Sequence, residues 1–307
     1  MTRPARLLAL LLGATTLVSA PAAAQFGTLN SVIGKAQSAQ RIGEGLRKIS
    51  EPEEIKIGGD LAAMLLGAAP LIADPAKQRY INTLGRWLAL HSERPGLPWK
   101  FGIVNSDDFN AFSTPGGYIL VTRGLFERMR SESELAGVLA HEIGHVARKH
   151  HLAALQRNLR NQSLSEMRSY FSISTGSSIG DRFSSALLSA GKDLYARGLD
   201  KEDEYEADRV GVVIAARSGY SPWGLAGVLQ TLTATTDESK YGLHNRTHPL
   251  PLDRLARLDA AMGTRFDKMP GLVDDLPSFL ALRRPPASVS SPAGPKNRPA
   301  KPGRRRP

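Results

Sequence analysis

The stretch SESELAGVLAHEIGHVA runs from Ser131 to Ala147 and predicts one long amphipathic helix. Ser131 and Glu134 form a Ser-x-x-Glu capping box at its start. Apolar side chains then recur at helical spacing on one face, at Leu135, Leu139, Ile143 and Val146. We expect that face to be buried while the opposite face lines a cleft.

The second half of this helix contains the H-E-x-x-H pattern, as His141, Glu142 and His145. Two histidines four positions apart lie on one helix face, about one turn from each other, so both imidazoles can bind a single ion. Glu142 can reach a water molecule in an open coordination position. The pattern is typical of zinc peptidases, with two metal ligands and a general base, although an ordinary pair of surface histidines can produce it by chance.

A third metal ligand is needed, because catalytic zinc usually takes three from the protein. The candidate is Glu204, in the stretch EYEAD from Glu204 to Asp208. These two acids share a helix face, so one can bind the metal while the other accepts the ring N–H of a ligand histidine. The alternative is a solvated acidic helix start, which the helix dipole favours. Spacing alone leaves both alternatives open.

Residues 1–24 have the pattern of a secretory signal peptide: a positive start, an apolar run and a small-residue cleavage site. We therefore expect an exported, periplasmic protein, cleaved between Ala24 and Gln25. The later apolar run from Leu61 to Ala73 is too short to span a bilayer, so no transmembrane span is expected in the mature chain. The sequence contains no cysteine, which excludes disulfides and a lipid-modified cysteine.

Residues 283–307 carry eight lysines and arginines and no acidic residue. Such a segment has almost nothing to bury, which predicts a disordered basic tail. The whole chain has a formal net charge of +11, and most of that excess belongs to this tail. Nucleic acid is not an expected partner of an exported chain. Attraction to an anionic envelope surface and a merely solvated tail remain the two alternatives.

Between these ends, residues 25–282 are long enough for one large domain and contain no internal repeat. Besides the central helix, periodicity predicts helices at 37–49, 54–67, 75–90, 201–216, 223–232 and 253–262, and strands at 99–104 and 118–122. The expected fold class is therefore mainly α with a small β-sheet (α+β). The serine-rich segment 161–200 has no assigned role.

Three motifs in order also carry a resemblance to a known family: NAFSTPGG at 110–117, HEIGH at 141–145 and E-x-x-A-D-R at 204–209. With them the chain resembles the zinc metallopeptidases that include the HtpX heat-shock protease, the CAAX prenyl proteases and the BepA-type periplasmic proteases. The resemblance extends from about Ser50 to Met262. Unlike several of those proteins, the chain shows no transmembrane helices and no helical repeats after Met262, so the exported single-domain members are the nearest match.

The resemblance implies a gluzincin-like core with one Zn²⁺ per chain, bound by His141, His145 and Glu204. It implies Glu204 rather than Glu206 as the third ligand, and Asp208 as the partner of a ligand histidine outside the metal shell. It also implies that the strand after the Pro-Gly-Gly turn at 115–117 borders the cleft and pairs with extended substrate.

One further segment, THPLP at 247–251, places His248 in a turn that Pro249 and Pro251 make stiff. BepA-type proteases carry a similar segment, whose histidine can occupy the open zinc position and hold the enzyme latent. Alternatively, His248 acts in catalysis or lies in a turn away from the metal. Arg254 can stabilise an oxyanion or pair with Asp208. The remaining histidines in the body are interpreted as ordinary surface residues: His91, His150, His151 and His244.

These observations predict an exported zinc endopeptidase that hydrolyses unfolded or misassembled envelope proteins, with Glu142 as general base. The alternative is a catalytically silent or latent, chaperone-like binding protein for the same partners. The presence of Glu142 argues against a silent site, since a pure binding protein has no need of the base. A structural zinc protein fits poorly, because structural sites are typically closed and rich in cysteine.

Overall fold

The computed structural model describes residues 49–169, 195, 197–234, 248, 250–269 and 272–283. Several predictions therefore fall outside the described residues. They are the signal peptide, nearly all of the helix at 37–49, most of the serine-rich segment, His244 and the basic tail after residue 283.

The described chain is mostly helical, with one small sheet, as the sequence predicted. The helices are α1 (Glu51–Ala68), α2 (Pro75–Leu90), α3 (Arg123–Arg128), α4 (Glu132–Ala147), α5 (His150–Ser169), α6 (Lys201–Arg217), α7 (Gly224–Thr233), α8 (Pro251–Met262) and α9 (Pro277–Arg283). The strands are β1 (Lys100–Val104), β2 (Ala111–Thr114) and β3 (Tyr118–Thr122). Among these helices, none is both long enough and apolar enough to cross a membrane.

The sheet has the strand order β1-β3-β2, with β3 parallel to β1 and antiparallel to β2. Tyr118 pairs with Lys100 on one side and with Thr114 on the other, so β3 has a partner along both edges. The expectation that the strand after the Pro-Gly-Gly turn pairs with substrate is therefore wrong. Of the two strands of this hairpin, the outer one is β2, which comes before that turn; β1 forms the opposite edge of the described sheet.

The turn between β2 and β3 requires glycine. Gly116 and Gly117 have φ values of 77° and 102°, a backbone conformation that side chains with a Cβ rarely adopt. A Cβ on Gly116 would also lie 2.5 Å from the Cα of Ile55 in α1. The turn thus lies in close contact with α1, and this contact fixes the position of β2 relative to α1.

Helix α4 is the central element of the core, and all of its residues are buried. It packs against α6, α7, α2 and β2. The Ser131 side chain accepts the backbone N–H of Glu134 and so caps the helix, as predicted. The Glu134 side chain accepts the backbone N–H of Arg130 rather than that of Ser131, so the second bond of the capping box has a different donor. The expectation of one buried face was too narrow, because the face with the histidines is covered by α6 and β2 rather than open along its length.

The close approach of α4 and α6 depends on a glycine. A Cβ placed on Gly211 would lie 2.9 Å from the backbone N of His141 and 3.0 Å from its Cα. Gly144 makes the converse approach, since its Cβ would lie 3.2 Å from the carbonyl O of Ala207. These glycines let the two helices meet near backbone contact, and that contact sets the distance between the acids of α6 and the histidines of α4.

Gly211→Ala is expected to destabilise the fold by about 1–3 kcal/mol, because the added methyl meets backbone atoms that cannot rotate away. Thermal unfolding followed by circular dichroism should show a lower melting temperature. Gly67→Ala is the matched control: its Cβ would meet nothing within 4 Å, so that variant should melt at or slightly above the wild-type temperature. Equal melting of Gly211→Ala and the wild type would show that the two helices separate at no cost.

The C-terminal segment packs onto the start of α4 through a buried carboxylate. Glu132 is 1% exposed and accepts the backbone N–H of Leu276 at 2.8 Å and the hydroxyl of Tyr220 at 3.3 Å. The hydroxyl of Tyr80 also donates to it. Burial and the nearby carboxylate raise the pKa of the Tyr80 hydroxyl well above its ordinary value, so it remains a donor. Residues 272–283 are therefore part of the folded body.

Candidate metal centre

Two neighbouring helices bring the predicted ligands together. His141 and His145 lie on α4 and Glu204 lies near the start of α6, and all three side chains are almost fully buried. The Nε2 atoms of His141 and His145 are 3.0 Å apart. Glu204 lies 3.7 Å from His141 Nε2 through Oε2 and 3.5 Å from His145 Nε2 through Oε1.

These distances suit a metal ion. Ligand atoms held at about 2.0–2.1 Å from a tetrahedral zinc lie roughly 3.3 Å from one another, and the three measured separations lie on either side of that value. Glu204 Oε1 is buried without a hydrogen-bond partner, which is costly for a carboxylate oxygen unless a cation binds there. The donor set of two imidazoles and one carboxylate therefore fits a divalent metal.

The charge states of His145 and Glu204 agree with metal binding. Burial and the neighbouring histidines lower the pKa of His145 well below its ordinary value, so its imidazole is neutral and can donate a lone pair. Burial would raise the pKa of Glu204, but His248, Arg254 and His141 outweigh that effect and lower it to about 2. A neutral imidazole and an ionised carboxylate are the forms that bind metal.

Asp208 and Arg254 hold the His141 ring in place through its Nδ1 side, away from Glu204. Asp208 Oδ1 lies 2.9 Å from His141 Nδ1, so it accepts the ring N–H and leaves Nε2 facing Glu204. Arg254 donates to both oxygens of Asp208, at 2.9 and 2.6 Å, and is 2% exposed. Although burial opposes ionisation of Asp208, this arginine keeps the pKa of the carboxyl well below its usual range. Of the two roles predicted for Arg254, the structure shows the ion pair with Asp208.

His248 lies at the metal centre rather than in a remote turn. Its Nδ1 is 2.7 Å from Glu204 Oε2, and its ring centroid is 6.1 Å from that of His141. Ligand atoms of His141, Glu204 and His248 all lie within 4.8 Å of one another. A fourth ligand, and the third nitrogen donor, is thus within reach of the same ion, which is the geometry that a latent form would need.

The side chain of the candidate base Glu142 is hydrogen-bonded to β2, an outer strand of the sheet. Ser113 of β2 donates its hydroxyl to Glu142 Oε2 at 2.6 Å, and both residues are buried. The Tyr195 hydroxyl donates to the backbone carbonyl of Ser113 at 2.8 Å. Sequence reasoning missed both residues: Ser113 lay inside a quoted motif without an assigned role, and Tyr195 lay in the serine-rich segment, where no pattern marked it.

Two clefts adjoin the candidate metal centre. One is lined by β2 together with Glu142, His145, Tyr195 and Leu199. The other touches His141, Glu142 and Arg254, and its remaining walls are largely apolar. Those apolar walls are formed by Phe109, Leu125, Val138, Val228, Leu229 and Leu232. The candidate base therefore lies between a strand-lined cleft and an apolar pocket.

His150 and His151 are not surface residues, so that interpretation was wrong. They are 4% and 9% exposed. Lys149 has a φ of 61°, which ends α4 and turns the chain, so that α5 begins at His150 and returns both rings to His145. His150 Nδ1 lies 3.0 Å from His145 Nδ1, and the His151 ring centroid lies 5.3 Å from that of His145. His91 is partly exposed, close to the surface location predicted for it.

A buried helix with H-E-x-x-H, a carboxylate from a second helix and an outer strand beside the candidate base define a metallopeptidase. Comparison with protein families gives the same class. Residues 75–262, more than half of the chain, match the family described as Peptidase family M48. The chain belongs to this family, which uses a divalent metal, and the resemblance found from the three motifs is confirmed.

Named relatives agree with this assignment. The chain is 34% identical to the Beta-barrel assembly-enhancing protease of Escherichia coli K12 over 214 residues, which cover 68% of this chain and 43% of that protein. It therefore spans less than half of that relative's length. It is 28% identical to Metalloprotease LoiP of the same strain, over 66% of this chain and 77% of the relative. Metalloprotease YcaL is 29% identical over 54% of this chain and 63% of its own length.

Proposed function

We propose that this chain is an exported zinc endopeptidase with a gluzincin-like core that hydrolyses unfolded or misassembled envelope proteins. The observation that carries the proposal is the spacing of His141, His145 and Glu204, which suits one tetrahedral zinc, with Glu142 on the same helix beside it. The similarity to a beta-barrel assembly-enhancing protease supports the substrate class, and the signal-like N-terminus supports export to the periplasm.

The proposed chemistry is divided among few residues. His141, His145 and Glu204 would hold a zinc ion, which would supply a Lewis acid for the scissile carbonyl and lower the pKa of a water to about 7. Glu142 takes the proton from the attacking water and passes it to the leaving amine. The hydroxyl of Ser113 donates to one oxygen of Glu142 and so holds the carboxylate in place. Asp208 keeps the proton of His141 on Nδ1, so that Nε2 is free to bind the metal.

An extended, apolar substrate suits the surroundings of the site. A peptide can add to the outer strand β2 through main-chain hydrogen bonds, as extended ligands do at sheet edges. The apolar pocket beside Glu142 would take a large aliphatic or aromatic side chain next to the scissile bond. Folded proteins hide such segments and unfolded proteins expose them, which favours unfolded chains as substrates.

This proposal is tested by offering the purified chain one envelope β-barrel protein in folded and in urea-unfolded form, after dilution from urea. Mass spectrometry of the products locates the cuts. We expect internal cleavage of the unfolded form, beside large apolar residues, and slow or no cleavage of the folded form. Stable binding of the unfolded form without any cleavage would favour the chaperone-like alternative.

A latent state of the same enzyme is favoured by one contact. His248 Nδ1 lies 2.7 Å from Glu204 Oε2, so this side chain already engages a proposed metal ligand. If His248 occupies the open coordination position, it excludes the catalytic water until the turn moves.

His248→Ala is therefore expected to raise the rate of casein hydrolysis several-fold and to increase self-cleavage. Initial rates at equal zinc content measure the effect, and His91→Ala, which removes a partly exposed histidine at the end of α2, is the control. A fall of about 10²–10³-fold would contradict latency and indicate that His248 stabilises the oxyanion.

A further inference from the structure

His145 has a hydrogen-bond partner of its own on the side of the ring away from the proposed metal. Its Nδ1 lies 3.0 Å from Nδ1 of His150, and the two ring centroids are 5.1 Å apart, with the ring planes at 77°. Both side chains are buried. Two ring nitrogens at this distance share one proton between a donor and an acceptor, so the protonation of each ring depends on that of the other.

Metal binding would decide which nitrogen donates. If the Nε2 lone pair of His145 binds the ion, its proton is on Nδ1, and this N–H donates to Nδ1 of His150. His150 then carries its own proton on Nε2. That nitrogen lies 3.4 Å from Glu206 Oε2 and 4.0 Å from Asp203 Oδ1. A chain of donors therefore runs from His145 through His150 to the acids of α6, with both histidines neutral.

Two acids near the start of α6 thus have different tasks. Glu204 is 1% exposed and faces the ligand nitrogens of both α4 histidines. Glu206 is 39% exposed and lies 3.3 Å from Arg148 Nε, so water and a second cation also reach it. It is too far around the helix to share the metal, but it is placed to accept from His150.

We propose that His150 is a positioning residue that holds the His145 ring in its metal-binding tautomer and orientation, with Glu206 as its acceptor on α6. The inference rests on the proposed function, because it assigns a role at the same metal. It adds a second support beside that of His141. The ring of His141 is held by the buried pair of Asp208 and Arg254. The ring of His145 is held by His150, whose other ring nitrogen faces the partly exposed carboxylate of Glu206.

His150 is not a candidate for a further metal ligand, because it contacts Nδ1 of His145 and not the Nε2 that faces Glu204. The position of His150 depends on the turn at Lys149, which has a φ of 61°. This turn lets α5 begin directly after α4. Its neighbour His151 also lies beside the His145 ring, with centroids 5.3 Å apart, and stacks on Tyr195 at 5.6 Å. The nitrogen within hydrogen-bond distance of His145 Nδ1 belongs to His150.

The test measures zinc affinity of the full chain by competition with a chromophoric chelator, together with thermal melting of the metal-free protein. His150→Leu removes the acceptor and should weaken zinc binding by about 10- to 100-fold, as the loss of outer partners does. His150→Asn keeps an acceptor oxygen near the Nδ1 position and should bind within about 3-fold of wild type. Glu206→Ala should weaken binding by up to about 10-fold, whereas its neighbour Glu202→Ala, 75% exposed, should not.

Zinc affinity equal to wild type in His150→Leu would overturn the inference, as would equal losses in the Leu and Asn variants when both melt like the wild type. If His150→Leu fails to fold, the comparison of Glu206→Ala with Glu202→Ala decides, and equal affinities there overturn it. Failure of the proposed function gives a different result, namely that the wild-type chain itself binds no zinc.

Discussion

Glu142→Gln should keep one zinc ion per chain while kcat for casein hydrolysis falls by about 10²–10⁴-fold, the usual contribution of a general base. The amide preserves the shape of the side chain and can still accept the hydroxyl of Ser113, but it cannot take a proton from water. Because Glu142 is not among the proposed metal ligands, its replacement should not change metal content. Steady-state kinetics and elemental analysis of the same preparation measure both quantities.

The control for this substitution is Glu127→Gln, which changes an exposed glutamate on α3 in the same way and should leave kcat unchanged. Ser113→Ala provides an intermediate case, since it removes only the hydrogen bond that orients the base; about a 10-fold loss is expected. Hydrolysis by Glu142→Gln at the wild-type rate would remove the proposed base. Loss of zinc from that variant would mean that Glu142 is a ligand instead.

Glu204→Ala is expected to abolish stoichiometric zinc binding. Structural zinc sites bind with about 10–16 kcal/mol in total, so one ligand of three contributes on the order of 3–5 kcal/mol, or about 10²–10⁴-fold in affinity. Proteolysis should be lost with the metal. The carboxylate is buried between His141 and His145, so no neighbouring acid can replace it. Equilibrium dialysis against zinc-buffered solutions measures the effect.

Glu206→Ala is the matched comparison, two positions further along the same helix. Its carboxylate is 39% exposed and faces Arg148 and His150, so this variant should still bind one zinc ion at micromolar concentrations. The opposite outcome, a metal-free Glu206→Ala and a zinc-loaded Glu204→Ala, would show that the proposed helix face is wrong by two residues.

Much of the candidate site could be predicted from the sequence because its residues lie at helical spacing. His141 and His145 are one turn apart on α4, and Glu204 and Asp208 are one turn apart on α6, so each pair had to share a face. The structure brings the two pairs together. Spacing could not choose between a ligand and a solvated acid at Glu204; the resemblance to a family made that choice, and the ligand roles stay predictions.

The missed features depend on contacts that no local pattern records. Strand β2 has only four residues, Ala111 to Thr114, and Phe112 is its one large apolar side chain, so it lacks the longer apolar alternation that marks most strands. The burial of His150 and His151 depends on the left-handed backbone of Lys149, a residue that does not usually mark a turn. Tyr195 reaches Ser113 from 82 positions away.

The expectation that the strand after the Pro-Gly-Gly turn pairs with substrate was wrong for a related reason. The strand after the Pro-Gly-Gly turn lies in the middle of the sheet, because β1 adds parallel to it on the far side. A sequence motif marks the hairpin but not which of its two strands faces outward. In this fold the outer strand is β2, the one that also holds Glu142 through Ser113.

The most direct test of the central claim is a zinc titration of the metal-free full chain, followed by the rate of hydrolysis of unfolded casein. Chelation should abolish activity, and stepwise addition of zinc should restore it linearly to a plateau at one equivalent per chain, with Glu142→Gln inactive throughout. Hydrolysis that is indifferent to chelation and to added zinc would contradict the account.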